Sequence, residues 1–211
     1  MNFLQKWRMD ATSGVAIVDG PEALTALNEP DCAAAIWRRR IPTRVQDSLD
    51  QLDPECLPKG RIILRPDEVG DAVEHLCDMA GLPDGPERTW LETDISALSQ
   101  VFARLMSARH LRVRLDVVTT NSCRKFHVDA VHARLVCTYR GTGTQYGIST
   151  DGDDPRRVFT VPTGAPILLR GALWPESPPS GLRHRSPPIE GTGESRLVLV
   201  LDPINDPEDA V

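Results

Sequence analysis

In the stretch RKFHVDAVHARL, His127 and Asp129 stand two residues apart. Side chains on an extended strand alternate between its faces, so this spacing sets an imidazole nitrogen and a carboxylate oxygen side by side. A further histidine, His184, follows a proline-rich segment and precedes the last strongly apolar run. Two histidines and one carboxylate on one face supply three ligands to a divalent ion and leave coordination positions open, the donor set that suits a non-haem Fe(II) centre. The expected metal ligands are therefore His127, Asp129 and His184. An HxD pair alone suits a hydrogen-bonded structural pair equally well; His184 and the strand context shift the weight toward metal.

Other residues bear on the same site. Arg196 opens SRLVLVLD, a strand whose alternate positions Leu197, Leu199 and Leu201 are apolar. An arginine reaching into a core is costly without a paired anion, and its planar fork suits a carboxylate. Tyr139, on the strand after HxD and on the opposite face from Arg134, offers a phenol for a cosubstrate or a core side chain. Cys123 reaches the metal only if the chain turns sharply at Asn121 and Ser122, and a thiolate there would favour zinc. His132 has the opposite strand parity from His127 and Asp129, so it faces solvent or stands behind the ligands.

These side chains need a rigid frame, and the hydrophobic period supplies one. Leu111, Val113, Leu115 and Val117 alternate with Arg112, Arg114 and Asp116, the period of a strand with one buried face. Further strands are expected over 125–129, 132–140, 144–149, 157–161, 165–171 and 195–202, separated by turn chemistry such as GTG, DGDDP and PTGAP. Many short strands without intervening helices argue for an antiparallel sandwich or barrel. The front of the chain reads as helical: DCAAAIWRRR between Asp31 and Pro42, the stretch Pro66 to Gly81, and a longer helix after Thr93 or Asp94 with an apolar stripe from Ile95 to Met106. Arg38, Arg39 and Arg40 then read as the cationic end of the first of these helices. The segment from Leu173 to Pro188 has no pattern and reads as a long loop.

Composition narrows the function. The 211 residues are 40% hydrophobic, enough for one sizeable core. A net charge of −6 argues against phosphate backbones and anionic lipid, and the 5% of aromatic residues are not interleaved with basic ones as a base-stacking surface requires. No apolar run is long enough to cross a bilayer, and MNFLQKWRMD lacks signal-peptide features. The five cysteines are odd in number with no CxxC pair, in keeping with a reducing cytoplasm.

The order HxD, distal His, then arginine resembles the 2-oxoglutarate/Fe(II) oxygenase superfamily. That resemblance implies an α+β fold with an antiparallel double-stranded β-helix, a jelly-roll or cupin-like barrel. It implies Fe(II) and 2-oxoglutarate as cofactors and Arg196 as the group that grips the far carboxylate of the cosubstrate. The block RKFHVDAVHARLVCTYRGTGTQY, with LRHRSPP and ESRLVLVLDP, also resembles the bacterial family known as domain of unknown function 1826. This second resemblance spans Leu111 to Pro203, with echoes in AIWRRRIP and in the helix after Thr93. It implies a link to zinc homeostasis and no established reaction. Thr142 and Tyr146 depart from the Pro and Trp of the family's GxGTxW segment.

The expected organisation is a helical region over 1–110 packed outside a barrel over 111–205, with an acidic tail over 206–211. The expected function is a metal-dependent dioxygenase acting on a small-molecule or protein substrate. The alternatives are a non-catalytic zinc-binding protein, with Cys123 and His132 as further donors, and a metal-free interaction module.

Overall fold

The computed structural model describes residues 7–10, 14–149, 151, 153–175 and 180–205. In chain order the strands and helices are β1 (Trp7–Asp10), β2 (Val15–Val18), β3 (Ala34–Trp37), α1 (Thr43–Gln51), β4 (Gly60–Leu64), α2 (Val69–Ala80) and α3 (Pro86–Met106). Then follow β5 (His110–Val118), β6 (Ala133–Arg140), β7 (Gln145–Ile148), β8 (Phe159–Thr160), β9 (Ile167–Arg170), β10 (Leu182–Arg185) and β11 (Arg196–Ile204). A 3-10 helix, Pro21–Asn28, joins β2 to β3.

Eight strands form one sheet in the order β1-β2-β3-β9-β6-β11-β5-β4, and three form a second in the order β10-β7-β8. Pairing is antiparallel throughout except between β2 and β3. The large sheet has two differently clothed faces. On one, Leu111, Val113 and Leu115 of β5, Leu135, Cys137 and Tyr139 of β6, and Leu197, Leu199 and Leu201 of β11 join Leu91, Ile95, Leu98 and Phe102 of α3 in the main core. On the other, Val136, Ile167, Leu169, Val198 and Val200 pack against Tyr146 and Leu182 of the small sheet. The alternation read over 111–117 is therefore realised in β5, with its apolar residues under the helices and its arginines on the alternate face.

β11 is the central strand, bonded to β5 on one side and β6 on the other, and its first seven residues are buried. α2 stops at Gly81, whose φ of 67° is the left-handed turn that glycine adopts without a Cβ clash. α3 starts at Pro86, earlier than the expected Thr93, because proline suits a first helical turn where no amide partner is needed.

Several expectations are corrected. DCAAAIWRRR is not a helix: Ala34–Trp37 is strand β3, between β2 and β9. Ala35 packs toward the helices and Ala34 and Ile36 toward the small sheet, so both faces are covered and burial overrides the helix preference of alanine. Arg39 consequently pairs with Asp94 of α3, 2.7 Å away, rather than ending a helix. The region 1–110 is not purely helical, since β1 to β4 all belong to the large sheet. Lys125 to Asp129 is not a full strand and pairs only through an isolated bridge at His127. The expected loop from Leu173 to Pro188 contains β10. The acidic tail over 206–211 lies outside the described residues. Among those described, no helix is long and apolar enough to cross a membrane.

Candidate metal centre

His127 and His184 are brought together by backbone pairing. Each donates its amide N–H to the other's carbonyl oxygen at 3.0 Å, and their rings lie 4.5 Å apart. Asp129 follows two residues later and is held by its carbonyl oxygen, which accepts from the Ala172 amide at 2.8 Å. One ligand atom from each of His127, Asp129 and His184 lies within 4.8 Å of the others, and no other such group occurs among the described residues.

The electrostatics of the three fit a cation. The Asp129 side chain is only 10% exposed. Its Oδ1 accepts from the Arg134 guanidinium. Its Oδ2 is buried and lies 3.0 Å from His184 Nε2, without a well-formed hydrogen bond. Burial pushes the Asp129 pKa up, but His127, His184 and Arg134 outweigh it and hold the carboxyl well below the usual range. The neighbouring carboxylate raises the His127 pKa against the effect of burial. His127 Nδ1 lies 2.9 Å from the Lys125 carbonyl oxygen, an acceptor only, so Nδ1 carries the proton and Nε2 is free to face Asp129. A buried carboxylate beside two imidazoles, with one oxygen lacking a well-formed hydrogen bond, is what a divalent ion would satisfy.

Arg196 lines the same cavity as His127 and His184. It is 2% exposed, donates from Nε to the Thr142 carbonyl oxygen at 2.6 Å, and has a weak contact from Nη2 to Thr138 Oγ1 at 3.4 Å. Among the described residues it pairs with no carboxylate, and burial lowers its pKa to about 10. A buried guanidinium is costly without a paired anion, and its planar fork suits a carboxylate.

Tyr139 does not reach this cavity. It lies on the helix-covered face of β6, where its hydroxyl donates to Asp94 Oδ2 at 2.7 Å and its ring meets Trp90 edge-on. Cys123 is exposed at the cavity rim and is not in the ligand group. His132 is exposed and packs on Trp174, 4.8 Å between ring centroids. The site residues that sequence reasoning missed are Arg134 and Asp202. Their signal was parity, since Arg134 alternates with Tyr139 on β6 and Asp202 shares the face of Arg196 on β11.

The fold is shared with enzymes of known structure. Dioxygenase for auxin oxidation 1 from Arabidopsis thaliana, in a binary complex with 2-oxoglutarate, superposes with a TM-score of 0.52 at 11% identity, covering 89% of this chain and 88% of that one. The rice dioxygenase for auxin oxidation superposes with a TM-score of 0.50 at 13% identity, covering 90% of this chain and 80% of that one. A comparison with curated proteins finds no match. The family described as protein of unknown function, DUF1826, matches residues 18–202, and the chain belongs to that family.

Proposed function

We propose that this chain is a non-haem Fe(II) oxygenase that uses 2-oxoglutarate, built on a double-stranded β-helix formed by its two facing sheets. The observation that carries the reading is the grouping of Asp129 with His127 and His184, the two histidines lining one cavity with the buried guanidinium of Arg196. The fold likeness to a dioxygenase complexed with 2-oxoglutarate supports it. In this reading His127, Asp129 and His184 hold Fe(II), and Arg196 pairs with the far carboxylate of 2-oxoglutarate. The bound pair supplies oxygen activation, and the protein orients the substrate and limits water. The substrate is a small molecule or a protein. Five free cysteines agree with a cytoplasmic setting.

A structural zinc site fills four positions with protein ligands. Among the described residues neither Cys123 nor His132 joins the three, so no observation favours the zinc reading.

The test is anaerobic addition of Fe(II) and 2-oxoglutarate to metal-free protein, read as the metal-to-ligand charge-transfer band. The band is expected in the wild type. Arg196→Lys keeps the charge but loses the fork, and is expected to retain metal while binding 2-oxoglutarate more weakly by about 1–3 kcal/mol. A wild-type protein that binds Fe(II) without any response to 2-oxoglutarate overturns the proposal.

A further inference from the structure

Arg134 stands in the cavity wall on β6, its side chain 16% exposed. Leu135 is in register with Leu201, so Arg134 and Asp202 are cross-strand neighbours. The guanidinium donates from Nε to Asp202 Oδ1 at 2.6 Å and from Nη2 to Asp202 Oδ2 at 2.8 Å. That bidentate fork fixes the plane of the guanidinium. The remaining Nη1 is thereby aimed at Asp129 Oδ1. Oδ1 also lies 3.5 Å from His127 Nε2, while Oδ2 faces His184 Nε2 at 3.0 Å without a well-formed hydrogen bond.

We propose that Arg134, anchored by Asp202, is a positioning residue that makes Asp129 a ligand through one oxygen. The inference rests on the reading of His127, Asp129 and His184 as a metal centre. A carboxylate binds a cation through one oxygen or through both. With Oδ1 drawn toward Arg134, Oδ2 is the oxygen better placed for the ion, and the position that a chelating carboxylate would take stays free for ligands from solution. Because the anchor is a strand-to-strand ion pair, the carboxylate is oriented before any metal arrives.

The experiment uses Co(II) on metal-free protein, with dissociation constant and visible d–d spectrum as readouts and thermal unfolding as the check on folding. Arg134→Met alone would strand two buried carboxylates, so it is combined with Asp202→Asn. The double variant is expected to bind Co(II) roughly 10- to 100-fold more weakly, as loss of partners behind metal ligands typically does. Its d–d spectrum is expected to change as the carboxylate gains freedom. Arg134→Lys keeps a donor without the fork and is expected to fall between, with partial recovery of affinity. If the double variant does not unfold cooperatively, Arg134→Lys decides on the same two readouts. A folded variant with wild-type affinity and spectrum overturns this inference alone. A wild-type protein that takes up no Co(II) overturns the metal-centre reading and this inference with it.

Discussion

At the scale of single residues, Asp129 and His127 link the site to pH with opposite signs. An unfolded aspartate titrates near about 3.9, and Asp129 in the fold titrates lower. The stability this contributes is fully present above about pH 4 and is lost as pH falls further. Metal-free Asp129→Asn is expected to lose less stability than the wild type below about pH 4, measured as denaturant midpoints across pH. His127 has a raised pKa, so its contribution in the metal-free protein is present below about pH 6.5 and lost as pH rises through the folded value. Metal binding reverses that preference, because a ligating imidazole must be neutral. Alanine at His127, Asp129 or His184 is expected to abolish metal uptake and with it the stabilisation that metal confers, read by metal analysis and by melting with and without added ion. Unchanged metal content in all three variants would sink the site.

At the scale of elements, the short segment that carries Asp129 is not a strand in the sheet, so other contacts must hold it. The Gly171 and Leu173 amides donate to the His132 and Val131 carbonyl oxygens at 2.9 and 3.1 Å, alongside the Ala172 bond to Asp129. Gly171 permits this close approach: a Cβ there would stand 1.9 Å from the Val131 carbonyl oxygen and 3.0 Å from that of Asp129. Gly171→Ala must therefore displace the segment. It is expected to cost about 1–3 kcal/mol, as overpacking does, and to weaken metal binding together with stability. Denaturation and metal titration of the same preparation check both, and a destabilised variant with wild-type metal affinity would show that the bonds from residues 171–173 do not set the ligand position.

At the scale of the whole molecule, the large sheet separates two jobs. Its helix-covered face carries the main core, and the face toward the small sheet carries the cavity. Phe102 of α3 is fully buried on the first face. Phe102→Ala is expected to cost about 3–5 kcal/mol while leaving the stoichiometry of metal binding unchanged, because the sheet stands between it and the site. Loss of metal in a still-folded variant would refute that separation. Charge is also divided: the chain carries a net −6, yet Arg114, Arg134 and Arg196 line the cavity. Arg114 pairs with Asp116 and Arg134 with Asp202, so in the proposed reading the buried Arg196 is the group that would meet an anionic cosubstrate.

The sequence by itself determined what strand and helix periods can express. The HxD spacing pointed to His127 and Asp129 as neighbours, although His127 sits at an isolated bridge rather than in a strand, the alternation of 111–117 was realised in β5, and the periodic run before Gly81 was realised in α2. Arg196 was legible because a cation on an apolar strand demands an explanation. Only the tertiary structure decided the rest, since local periodicity reports that a face is buried and not what covers it. Ala34, Ala35 and Ile36 became a strand because sheet neighbours and two cores enclose them. β10 was not legible because its partner β7 and the bridge at His127 lie far away in sequence, and that pairing is what carries His184 to Asp129. Tyr139 turned to the helices and Arg134 to the cavity for the same reason: once the helices covered the face of β6 that bears Leu135 and Cys137, the alternate face was left to the site.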